Sequence, residues 1–136
     1  MTDRSAPDWI LAYTAEVRDL LGLDAWDITV KMVDELDGDG SIGAQCQYKE
    51  PYRVAHVLLQ RGRTEAEYRE FVMHEMLHCA LAPMDFAAIT AVRLVPKPQR
   101  KVAQDMINDG CERAVQALAR ALVKGIKPPA TETPTP

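Results

Sequence analysis

From Phe71 to Leu81 the only ionisable side chains besides Cys79 are His74, Glu75 and His78. A segment apolar nearly all round has to be buried as a helix inside the fold. Polar groups buried with it need partners. Residues four apart on a helix lie on one face, a turn above one another, so His74 and His78 can reach a single metal ion from one rigid element. Glu75 projects beside the pair, where it can act as general base on a water that the metal activates. The competing reading, two neutral core histidines with a glutamate between them, leaves a buried carboxylate uncompensated at a cost of several kcal/mol. The metal reading is the one these residues favour.

A chain of 136 residues makes one domain, with enough length to bury a core without disulfide or metal staples. We expect the domain to span residues 1–126, with a disordered Pro/Thr-rich tail over 127–136. The opening residues carry no apolar signal stretch, and no apolar run approaches the length of a membrane span, which predicts a cytoplasmic protein with no membrane partner. Three scattered cysteines without a Cys-x-x-Cys pair suit a reducing compartment. The net charge of −4 argues against nucleic-acid binding. The basic stretch Arg93–Lys101 reads as a solvated connector.

The pattern predicts an α+β fold. A first helix runs from Asp8 to Leu21, with Gly22 as its stop. Three short strands follow, near Trp26–Val33, Ile42–Tyr48 and Arg53–Gln60. Between the first two, Asp34 to Gly40 has the composition of an exposed hairpin loop. Its partial likeness to a calcium loop fails at Cys46, where a bidentate glutamate is required. The motif helix is expected from Thr64, with Glu67 completing a capping box, to Leu81, where Pro83 interrupts. Met84–Val95 is ambiguous between helix and connector. A long final helix spans Gln99 to Lys124, with Val102, Met106, Cys111, Ala114, Val115, Leu118 and Leu122 as its inner stripe.

A catalytic zinc takes three protein ligands and keeps one position open, so a third ligand must come from another element. Glu112, on the final helix, is the preferred candidate. Asp109, Asp105, His56 and Cys111 compete for the role, and a nearby Asp is also placed to hydrogen-bond a ligand histidine. Tyr48, Tyr52 and His56 are candidates to lie near the cleft if the strand before the motif helix forms its rim. The same rim strand can pair with an extended peptide by strand addition.

His74-Glu75-Met76-Leu77-His78 with a later helical glutamate resembles the gluzincin branch of zinc metallopeptidases. More narrowly, His74 to Leu81 followed by Glu112 to Ala119 is similar to the repressor-cleaving metallopeptidases of mobile elements and stress response (the ImmA/IrrE group). It is also similar to small metallopeptidases of phages and prophages, which share a Leu-Gly-Leu-x-x-Trp-like entry into the first strand, here Leu21 to Trp26. The resemblance implies a minimal zincin-like domain with His74, His78 and Glu112 as zinc ligands and Glu75 as general base. It implies a peptidase acting on a protein or peptide substrate. The other class the residues allow is a zinc-stabilised binding module without activity, in which Glu75 has no use.

Overall fold

The computed structural model describes residues 4–36, 43–49 and 53–126. The centre of the acidic turn, Tyr52 and the Pro/Thr-rich tail lie outside them. The elements are β1 (Arg4–Ser5), α1 (Asp8–Leu20), β2 (Asp27–Val33), β3 (Ala44–Lys49), β4 (Val54–Gln60), α2 (Glu65–Val92) and α3 (Arg100–Val123). A 3-10 turn at Lys97–Gln99 leads into α3. This is the expected α+β class: three helices and a small mixed sheet.

The sheet order is β1-β2-β4-β3. The three expected strands form its body, and β1 adds a two-residue edge antiparallel to β2, with Arg4 opposite Met32. Central β4 runs parallel to β2, with Val30 opposite Val57, and antiparallel to β3, with Cys46 opposite Val57. Its inward residues explain that position. Ala55, Val57 and Leu59 are all fully buried, and the strand with the most apolar inner face sits where both of its edges are paired. The order corrects one expectation. Because β2 and β3 are not neighbours, the strands on either side of the acidic segment do not pair as a hairpin. The hairpin is β3–β4.

Side chains alternate across each strand. Ala55, Val57 and Leu59 face the helices, while His56 is exposed on the other side, where its Nδ1 meets Thr29 Oγ1. α1 presents Ile10, Tyr13 and Val17 to the core and ends at Gly22, whose φ of +68° suits a residue without Cβ. α2 packs against α1, β3 and β4. Its start is fixed by the expected capping box: Thr64 Oγ1 accepts from Glu67 N, and Glu67 Oε1 accepts from Thr64 N, both at 3.2 Å. The Arg69 guanidinium lies over the Trp9 and Tyr13 rings, tying α2 to α1. Gly43, at φ +81°, leads into β3 so close to Phe71 that a Cβ would stand 2.8 Å from its ring.

Three further expectations are corrected. α2 does not stop before Pro83 but continues to Val92. Proline removes only one intrahelical bond, and the helix beyond it is held from outside. Ala82 and Val92 are buried, and α3 packs alongside. Just past the end, the Arg100 guanidinium donates to the carbonyls of Arg93 and Val95. Of the expected stripe on α3 only Val115 is fully buried, joined by Ala119, which the stripe did not include, while Val102, Met106 and Leu118 are exposed. The main neighbour of α3 is α2. By length and composition α2 also reaches the threshold for a membrane-crossing helix, contrary to the expectation that no such run exists. A core helix meets the same criterion, and the first half of α2 is core here.

Candidate metal centre

The site lies where α2 crosses α3. His74 and His78 stand one turn apart on α2, and Glu112 reaches them from α3. His74 Nε2 and His78 Nε2 are 3.3 Å apart. Glu112 places Oε2 at 3.3 Å from the first and Oε1 at 2.8 Å from the second. Donor atoms of the three residues all lie within 4.8 Å of one another, so the group can hold a metal ion. The histidine side chains are largely enclosed, whereas that of Glu112 is about half exposed at 54%. The centre is therefore held from the core side and open on the other.

Of the competing third ligands, Asp109 is paired with Arg113 at 3.1 Å and Asp105 with Lys101 at 3.0 Å, both in exposed pairs along α3. His56 is on the opposite face of the sheet. Cys111 lines the cleft but does not join the donor group.

The cleft in front of the donors has a volume of about 340 Å³. Glu75 faces it, with Gln45, Cys46 and Tyr48 of β3, Asp85 of α2 and Asn108 of α3. Glu75 is 5% exposed and has no hydrogen-bond or ion-pair partner among the described residues. Burial pushes its carboxyl up to about 8, and the negative charge of Glu112 adds to the rise. A cation between the two carboxylates would act in the opposite sense. Across the cleft the Tyr48 hydroxyl donates to Asp85 Oδ2 at 3.4 Å. Burial first and Asp85 second push that phenol up to about 12, so it remains a donor throughout the neutral range. Cys46 and Cys79 meet at 3.8 Å between their sulfurs, close behind Glu75. The neighbouring Cys79 thiol and burial together push the Cys46 thiol up.

Tyr48 thus lies on the cleft as expected, and His56 does not. The strand before the motif helix is β4, with both edges paired; the strand bordering the cleft is β3. Four residues at the centre escaped the sequence reading: Glu70, Asp85, Asn108 and Gln116. Gln116 Oε1 lies 2.7 Å from His74 Nδ1, and its Nε2 donates to Glu70. The signal that finds three of them is helical spacing. Glu70 precedes His74 by four, and Asn108 and Gln116 flank Glu112 by four on either side, so each shares a face with a ligand.

Compared with known protein families, curated proteins and solved structures, the chain matches none. The functional reading rests on the chemistry of these residues.

Proposed function

We propose that this chain is a zinc-dependent metallopeptidase with a minimal zincin-like domain, in which His74, His78 and Glu112 hold the ion and Glu75 is the general base. The observation that carries the reading is Glu75: a buried carboxylate with no hydrogen-bond or ion-pair partner among the described residues, facing the same cleft as three converging donors. A purely structural metal site has no use for it.

The donor set supports zinc. Two imidazole nitrogens and a carboxylate form a common catalytic zinc set, with bonds of about 2.0–2.2 Å. Tetrahedral bonds of that length place ligand atoms about 3.3–3.5 Å apart. The separations of 3.3 Å between the two Nε2 atoms and from His74 Nε2 to Glu112 Oε2 match that edge, while the 2.8 Å from His78 Nε2 to Glu112 Oε1 is the shorter distance of a hydrogen bond. When bound, the ion supplies Lewis-acid polarisation of a carbonyl and acidifies water.

The chain's own residues supply the remaining steps. Glu75 accepts the proton of the attacking water and delivers it to the leaving amine, and its burial favours a carboxyl able to do both. An extended peptide can lie along β3, whose outer edge has no strand neighbour among the described residues. Tyr48 is placed to donate a hydrogen bond within the cleft.

Glu75→Gln tests the reading, with hydrolysis of a fluorogenic casein and bound zinc measured on the same preparation. The variant should keep its zinc and lose activity by at least about a hundredfold. Loss of zinc as well would make Glu75 a ligand. A wild-type protein that binds zinc without cleaving the substrate would favour the non-enzymatic zinc-stabilised module.

A further inference from the structure

The two histidines are held differently, and the difference traces to a polar chain between the helices. His74 Nδ1 faces Gln116 Oε1 at 2.7 Å, and Gln116 Nε2 donates to Glu70 Oε1. Arg120 Nε approaches that same carboxylate oxygen at 3.4 Å. His78 Nδ1 has no hydrogen-bond partner among the described residues, while its Nε2 lies 2.8 Å from Glu112 Oε1.

The chemistry of the amide decides the polarity of this chain. Glutamine offers an acceptor at one end and a donor at the other, and an ionised carboxylate only accepts. With Glu70 on one side, Gln116 has to turn its nitrogen toward Glu70 and its oxygen toward His74. The reverse orientation would set oxygen against oxygen. An acceptor facing Nδ1 requires a proton on Nδ1. A neutral imidazole carries one proton, so Nε2, the atom aimed at His78 and Glu112, is left with its lone pair.

We propose that Glu70 and Gln116 are positioning residues. They hold His74 in the Nδ1–H form with its ring turned for ligation, so that His74 is the preset ligand and His78 the adaptable one. The inference rests on the reading of His74 as a metal ligand. His78 donates Nε2–H to Glu112 before metal arrives and moves that proton to Nδ1 on binding. His74 needs no such change. Partners of this kind, which orient a ligand histidine through its far nitrogen, typically alter metal affinity by about 10–100-fold when removed.

The test combines zinc affinity, measured by competition with a chromophoric chelator, and the ring-nitrogen NMR of metal-free protein at about pH 8.5, where imidazoles are neutral. Gln116→Leu should weaken zinc binding about 10–100-fold, and Glu70→Gln should weaken it in the same direction. The double variant E70Q/Q116E moves the carboxylate to α3 and the amide to α2. Between residues 70, 116 and His74 every donor again faces an acceptor and the net charge is unchanged; only the exposed Arg120 Nε, at 3.4 Å from Glu70 Oε1, loses its acceptor, so affinity should return to within about threefold of wild type, well short of the loss set by removing such a partner. Residues that merely packed would give additive losses instead.

In the metal-free wild type, His74 should be in the Nδ1–H form and His78 in the Nε2–H form, and Gln116→Leu should release only His74. An Nε2–H form at His74, or an additive loss in the double variant, would overturn the proposal. The tautomer is read without metal, so it decides the matter even if Gln116→Leu fails to fold. It also separates this inference from the function: a wild type that binds no zinc, yet keeps the His74 tautomer, would remove the metallopeptidase reading alone.

Discussion

One helix lives in two environments. From Val72 to Leu77 every residue of α2 is buried, among the sheet, α1 and α3. Beyond Pro83 the same helix leaves Met84 and Phe86 70% and 60% exposed. α3 repeats the contrast, with Val115 and Ala119 buried beside the first half of α2, and Val102 and Met106 60% and 69% exposed farther along. Both halves are rich in apolar residues. What lies beneath them differs: the buried half of α2 rests on the sheet and α1, whereas the main neighbour of α3 is α2. The metal donors stand at the boundary, where α2 is still anchored by the core but the cleft already opens. That placement gives the histidines rigid support on one side and access on the other.

The contrast is broken or sharpened first by truncation. Met76→Ala, in the fully buried half, should cost about 2–5 kcal/mol in denaturant unfolding. Phe86→Ala should cost within about 0.5 kcal/mol, as an exposed position does. Comparable losses at the two sites would show that the distal half is covered in solution. At the boundary itself, His78→Ala should weaken zinc binding by more than about a hundredfold, beyond the loss typical of a partner that only orients a ligand. The change should leave the cooperativity of unfolding intact, because the core does not run through this side chain. A broadened transition would mean that the site and the core are one unit.

Metal removal should act more gently. The ion would cross-link α2 to α3 and favour the folded state by mass action. A chelator is expected to lower the melting temperature by about 5–10 °C relative to protein with zinc at about a hundred times Kd. The helical circular dichroism should persist. A random-coil spectrum would make the zinc structural. The smallest effect is expected at Cys111, which borders the cleft beside Glu112 without sharing its direction. Cys111→Ala should leave zinc affinity within about threefold, since successive helical residues point about 100° apart. A large loss would promote its sulfur to a ligand.

The legible parts of this chain were those decided by local spacing. The i,i+4 histidines, the Thr64–Glu67 capping box and the glycine stop after α1 are each set within a turn or two of chain, and they lie where the pattern put them. Glu112 stood out as a carboxylate on a long apolar-striped helix. What escaped was decided by neighbours distant in sequence. An Asp-Gly-rich turn signals a hairpin, yet strand order depends on which strand has the most apolar face to bury, and β4 displaced β3 from beside β2. Pro83 signals a helix end, yet packing on α3 carried α2 nine residues further, to Val92. The stripe on α3 is periodic along its length, but periodicity says only which face is apolar, not how much of that face a neighbouring element covers. Gln116 and Glu70 are ordinary polar helix residues until the crossing of α2 and α3 brings them behind His74.

The most direct test of the account is the metal content of the purified protein after mild dialysis, measured by elemental mass spectrometry on wild type and on Glu112→Ala. If His74, His78 and Glu112 form one centre, the wild type retains one zinc per chain, and the variant, lacking the ligand from α3, loses most of it. A wild type retaining neither zinc nor another divalent metal, or a variant that keeps its zinc in full, would contradict the central claim.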